Sequence, residues 1–240
     1  MTVTALTTLH VWRVPTRALG RVLARMAVDR RRLRALPGVR FAKLLGTGNG
    51  TTFGPGDADL TRWAAVTVWD DPAAAAAFDA SAVGRAWARV SESSARVDLR
   101  PLHSRGTWSG RTPFGSENGV KTDGPVLALT RARLAPARAL TFWRAIPPVT
   151  AALHDADGVL SRFGIGEAPI GWQGTISVWR STAHLLEFAY RHPQHRAAIA
   201  RTPEARWYAE ELFARFAVLD LAGDPAVLGW ADGEKGIRGR

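Results

Sequence analysis

Two imidazoles stand close together in the stretch RHPQHRAAI, at His192 and His195. Imidazole is the commonest protein ligand for a metal and the side chain that most readily moves a proton near neutral pH. The residue before a proline is held in extended backbone, and a proline favours the first turn of a helix. Pro193 therefore puts His195 in the first turn of a helix running on through RAAIA and leaves His192 outside it, facing a different way. The positive end of a helix disfavours imidazolium, which keeps a neutral nitrogen of His195 available to a metal. This spacing favours one ligand and a bystander over a two-histidine site. It leaves open that both are ordinary imidazoles.

The other histidines, His10, His103, His154 and His184, form no His-Glu-x-x-His sequence and no recognisable facial triad. His10 lies in a strand pattern and His154 in ALHDADG, and both read as packed or exposed imidazoles. The chain has no cysteine, which excludes disulfides, thiolate zinc sites, iron–sulfur clusters and thiolate-ligated haem. A bound metal must use histidine, carboxylate, tyrosine or backbone oxygen. The GTGNGTTFG stretch lacks the Gly-Lys-Ser/Thr ending of a phosphate loop, and TTFGPGDADLTRW does not open a helix. It reads as a loop beside a pocket. Ten tryptophans, many in or near strand patterns, supply core and are numerous enough to line an apolar cavity.

The elements that must position these residues occur twice. RWAAVTVWDDPAAAAAF (Arg62 to Phe78) resembles WQGTISVWRSTAHLLEF (Trp172 to Phe188), so Trp69 and Phe78 correspond to Trp179 and Phe188. In each, an alternating strand pattern runs into a helical one. Upstream, LHVWRV matches LALTRA, and each leads into an amphipathic helix. The first carries Leu19, Val22, Leu23, Met26 and Leu33; the second carries Leu140, Trp143 and Ile146 and is broken by Pro147 and Pro148. The glycine-containing strands KLLGTGNG and RFGIGEA follow, and ARVDLRPL and ARFAVLDL close the two halves. Each half reads β-α-β-β-α-β, the ferredoxin-like arrangement. The predicted fold class is α+β, with tandem ferredoxin-like repeats forming a dimeric α+β barrel within one chain. Its halves span 1–104 and 126–222, joined by a Gly-, Ser- and Pro-containing connection at 105–125. A tail, 223–240, is expected to end in a poorly packed, dispensable segment, Lys235 to Arg240. The second half is longer near YRHPQHRAAIARTPEARWYAEELF, so the opening histidines sit in added structure, where a site is expected.

With 46% hydrophobic residues among 240, the chain can bury a sizeable core. No basic stretch followed by an apolar run opens it, and no run approaches the roughly 18 apolar residues of a membrane span. A cytoplasmic protein is expected. The formal charge of +11 is mostly an arginine excess, with a DRRRLR run at Asp29 to Arg34. Solvated helix faces account for such a charge. No nucleic-acid-binding motif accompanies it, so no nucleic-acid partner is expected.

The motifs RGTWSGRTPF, LTRARL, FWRAIPP, GIGEAPIGWQGTISVW and HRAAIARTPEARWYAEELFARF resemble the spheroidene monooxygenase family of carotenoid biosynthesis, from about Leu9 to Leu221. The resemblance implies an oxidoreductase that uses haem b to oxygenate acyclic carotenoids to ketones. It also implies kinship in fold with duplicated dimeric α+β barrel haem proteins, including aldoxime dehydratases and dye-decolorising peroxidases. In those proteins a histidine of the second half is the proximal iron ligand, which on this chain is His195. Histidine is the usual alternative to a cysteine axial ligand. Arg131, Arg144, Glu167 and Gln173 lie in the family-like motifs and are candidate catalytic donors to bound oxygen. Each also reads as an ion-pair, propionate or strand-cap residue. Arg105 and Trp108 are candidates to clamp the cofactor edge, or simply to pack in the connection. The partners implied are a large apolar small-molecule substrate and an electron donor, and the positive charge fits peripheral contact with an anionic membrane. Two other functions share these features: a haem enzyme acting on a smaller metabolite, for instance at a nitrogen–oxygen bond, and a non-catalytic haem-binding protein.

Overall fold

A computed structural model describes residues 6–51, 55–115, 122–167 and 172–230. The first half runs β1 (Leu6–Arg13), α1 (Leu19–Arg34), β2 (Val39–Gly48), β3 (Ala58–Trp69), α2 (Pro72–Ala76), α3 (Ala82–Ala88) and β4 (Ser93–Gly106). The second runs β5 (Val126–Leu134), α4 (Ala139–Ala145), α5 (Pro147–His154), β6 (Val159–Gly166), β7 (Trp172–Trp179), α6 (Thr182–Arg191), α7 (Pro193–Ala205) and β8 (Tyr208–Gly223). All the strand pairs are antiparallel, and the eight strands close into one barrel in the order β1-β3-β2-β6-β7-β5-β8-β4. Within it each half keeps the order of a ferredoxin-like sheet. The two sheets are sewn together along β2–β6 and β4–β8.

The duplication is visible residue by residue. Leu6 pairs with Trp69 as Val126 pairs with Trp179, and Trp12 pairs with Trp63 as Ala132 pairs with Gln173. Even the turn before the second strand is repeated: Gly38 and Gly158 both sit at φ 75°. A Cβ there would lie 2.5 Å from Ala74 and 2.4 Å from the His184 ring, so the two turns require glycine twice over.

Alternation along the strands sends one set of side chains into the barrel and the other outward under the helices. The barrel interior holds Leu9, Val11, Leu45, Val66, Val97 and Leu99 from the first half with Leu127, Leu129, Phe163, Ile176, Leu212 and Phe216 from the second. The two halves therefore share one core. The connection at 105–125 contributes to it, burying Trp108 and Phe114, the latter edge-on to Phe216 at 4.9 Å.

Two expectations need correction. The segment 223–240 does not begin as a tail: Gly223 completes β8, and Val227, Leu228 and Trp230 insert into the core. Ser161 anchors them by donating to the Leu228 carbonyl. Lys235 to Arg240 lie outside the described residues. Leu23 and Leu140, assigned to buried helix faces, are 58% and 66% exposed. In α1 the buried stripe is Val22, Met26, Asp29 and Leu33, and one residue's step turns Leu23 by about 100° away from it. The second amphipathic helix is broken at the prolines, as expected: α4 ends at Ala145, with Ile146 as its C-cap. Pro147 opens α5, where a missing N–H costs nothing.

Candidate functional site

The helix-covered faces of the two half-sheets differ sharply. In the first half, Trp12, Leu44, Trp63, Ala65 and Trp69 join Val22, Met26 and Trp87 of the helices and Phe78 of the turn between α2 and α3 in one continuous cluster. In the second half the layer divides into two separate clusters. One contains Val126, Leu153, Trp179, Leu185 and Phe188; the other contains Leu134, Phe142 and Trp207. The strand registers explain the division: Trp12, His10, Leu44 and Trp63 of the first half are replaced by Ala132, Thr130, Gly164 and Gln173. Two indoles, an imidazole and an isobutyl group give way to smaller side chains. The first-half residues at these positions are all buried; in the second half Ala132 and Gly164 remain buried, whereas Thr130, Gln173 and the neighbouring Thr175 are half-buried. Smaller side chains therefore fill the layer between the two clusters, a thinly filled region that we read as a hollow. The signal lay in the sequence, at corresponding positions of the two repeats.

The longer second-half segment packs against α5 and α6 at the edge of this layer. α7 takes the place in the chain order that the shorter α3 has in the first half, and it starts at Pro193 with His192 as its N-cap, in extended backbone. His195 falls in its first turn, half-buried, with its ring 4.9 Å from that of Phe188. Its Nδ1 lies 2.8 Å from the Ala189 carbonyl oxygen. A carbonyl can only accept, so Nδ1 carries the proton and the lone pair is on Nε2. Burial pushes the imidazole's pKa below its ordinary value and outweighs the opposing hydrogen bond, and nearby His192 lowers it further. The result is a neutral imidazole of fixed tautomer. His192 does not face away as the helix boundary implied. Both imidazoles lie against Phe188, His192 at 5.6 Å, because α6 and α7 meet over that ring.

Arg162, not anticipated from the sequence, lies on the same sheet face as Gly164, where the first half has buried Ala42. It donates from Nη2 to His154 Nδ1 on α5, and its buried Nε has no partner. Burial draws its pKa below the usual guanidinium value. Gln173 accepts a 3.3 Å hydrogen bond from Trp143 Nε1 of α4. Arg105 is exposed, its guanidinium 4.7 Å over Phe213, the register partner of Thr130. It therefore stands on the strand pair bordering the hollow. Arg144 is exposed on α4 and joins no partner group among the described residues.

Arg131, Glu167 and Trp108 gather elsewhere. Arg131 shares the face of Leu127 and Leu129, inside the barrel, where it is 3% exposed. It donates to Glu167 at 2.9 Å and to Glu210. Glu167 also accepts from Trp108 Nε1 at 2.7 Å and from Lys43 at 2.5 Å. Burial would raise both carboxyls. For Glu167 this is outweighed by Lys43, Trp108 and Arg131, which hold it below the ordinary range. For Glu210 it is outweighed by the Gly110 amide and Arg131, which bring it down to about 2. This closed network ties β2, β5, β6 and β8 to the connection. It lies on the opposite side of the sheet from His195, so the candidate catalytic residues do not form one constellation. Among the described residues no group of three or more His, Asp or Glu is placed to hold a bare metal ion.

No family model matches the chain. It is 35% identical over 211 residues to a spheroidene monooxygenase of Rhodobacter capsulatus, covering 87% of each chain. It is 38% identical over 189 residues to that of Rubrivivax gelatinosus, covering 78% of this chain and 72% of the relative. Among solved structures, an aldoxime dehydratase matches with TM-score 0.59 at 14% identity, over 89% of this chain and 81% of its own. An aldoxime dehydratase in complex with butyraldoxime matches with TM-score 0.55 at 12% identity, over 90% and 79%. At such identities these structures establish a shared fold.

Proposed function

The chain belongs to the spheroidene monooxygenase family, and on that premise we propose that it oxygenates a large apolar polyene of the acyclic carotenoid class at a haem iron bound by His195. The observation that carries the reading is the division of the second half's helix-covered layer, with a neutral, tautomer-fixed imidazole of α7 packed against Phe188 at its edge. A metal held in a macrocycle needs only one or two protein ligands, which suits a chain with a single well-prepared imidazole. The fit extends to charge. Arg162 offers a half-buried guanidinium with an unpartnered Nε on the floor of the layer, a group suited to a cofactor carboxylate or bound oxygen. When bound, haem would supply the oxygen-activating redox chemistry.

The chain's own residues do the rest. His195 would hold the iron through Nε2, while Nδ1–H, donating to Ala189, fixes the ring and increases its basicity. Thr130, Thr175 and Gly164 leave room for a flat group on the sheet, and Phe188 and Trp179 wall it on one side. Those apolar walls exclude water, which strengthens every polar interaction inside. Gln173 and Trp143, linked to each other, stand on the other side. Each turnover consumes dioxygen and a reductant, one oxygen atom going to substrate and the other to water.

The test is turnover of spheroidene by haem-loaded protein under isotopically heavy dioxygen with a chemical reductant. A labelled oxygenated carotenoid is expected. Turnover of a small aldoxime instead would move the chemistry to the nitrogen–oxygen bond. Haem binding without turnover of either would leave a carrier.

A further inference from the structure

The outer face of α1 carries two kinds of residue that seldom share a solvated surface. Leu23, 58% exposed, and Val28, 47% exposed, continue through exposed Ala24 and Ala27 as an apolar stripe along the helix. Arginine surrounds it. Arg21, Arg25 and Arg32 join Ala24, Val28 and Val90 in a shallow groove, and Arg31 and Arg34 stand exposed beyond it. The one acid of the helix, Asp29, is buried, with Arg25 at 3.7 Å and Arg32 at 3.5 Å. It pairs with those two arginines from beneath, so no acid is exposed along the helix and Arg21, Arg31 and Arg34 are not offset by it.

An exposed apolar stripe within a basic rim is the pattern of a helix lying in the headgroup region of a bilayer. We infer that α1 is a membrane-docking surface, with Leu23 and Val28 entering the interface of an anionic lipid bilayer and the arginines meeting its phosphates. Charge complementarity selects this occupant. A second copy of the chain would set one arginine cluster against another, and a neutral membrane would leave the arginines without partners. The inference stands on the surface of α1 and does not rest on the proposed reaction.

Sedimentation of the full chain with phosphatidylcholine vesicles, with and without added phosphatidylglycerol, tests it. Binding is expected only to the phosphatidylglycerol vesicles and should weaken with salt. Arg21→Glu/Arg31→Glu should weaken it at least about thirtyfold, since loss of each arginine near such a surface alone accounts for roughly fivefold. Leu23→Asp/Val28→Asp should weaken it about tenfold or more. Arg138→Glu/Arg180→Glu, which changes net charge equally at other exposed sites, should cost less than about threefold. All these side chains but Leu23 and Val28 are charged and exposed, and an unchanged circular dichroism spectrum confirms the fold of each variant. Equal losses in the α1 and control variants would overturn the inference. So would undiminished binding by both α1 variants, equal binding to both vesicle types, or self-association in the absence of lipid that the α1 substitutions abolish.

Discussion

Filling the hollow should separate packing from binding. Thr130 is half-buried on its floor, where the first half has a buried histidine. Replacing it with Phe adds a ring that can leave water only if there is space for it. Full burial of such a side chain stabilises by about 1.5–3 kcal/mol, and partial cover by helices makes the lower end, ~1.5 kcal/mol, the better estimate. In a layer already filled, the same ring would cost about 1–3 kcal/mol through displaced neighbours. The two cases differ in sign. For a chain of this size each kcal/mol moves the melting temperature by about 2–4 °C, so Thr130→Phe should raise the Tm of cofactor-free protein by roughly 3–6 °C. The same ring should abolish stoichiometric haem binding, followed as growth of the Soret band during titration. A fall in Tm together with unaltered haem uptake would refute the hollow and its assignment.

His195→Ala should shift or abolish the Soret band of haem-loaded protein while leaving the circular dichroism spectrum unchanged, and His192→Ala should do much less; equal spectral effects would point to a pair of ligands. Acid should dissolve the network inside the barrel. The folded carboxyl of Glu210 ionises at about 2 against an ordinary 4.5, so its contribution is complete above pH ~4.5 and is lost as pH falls towards ~2. Glu210→Gln should accordingly flatten the acid limb of a urea-midpoint profile measured across that window. Trp230→Ala should destabilise the chain by about 3–5 kcal/mol in urea unfolding, because its 1% exposed indole is part of the barrel core; a loss under 1 kcal/mol would show that the C-terminal segment merely rests there.

The sequence by itself determined the architecture, because strand alternation, helical spacing and the doubled Val-Trp…Phe pattern are local signals written twice. It also placed His195 in the first turn of α7, a consequence of Pro193 and of nothing distant. Tertiary structure decided what those residues face. Glu167 sits in the same motif as Gln173, and Arg131 in LTRARL on the neighbouring strand, yet strand parity and the close of the barrel carry both inside to Lys43, Trp108 and Glu210. Arg162 gained its place only when β6 paired with β7 and set it beneath α5. The apparent tail became core because the barrel is closed from both halves and leaves room for Trp230. Periodicity along a chain fixes which residues share a face; which face is covered, and by what, depends on contacts between segments far apart in sequence.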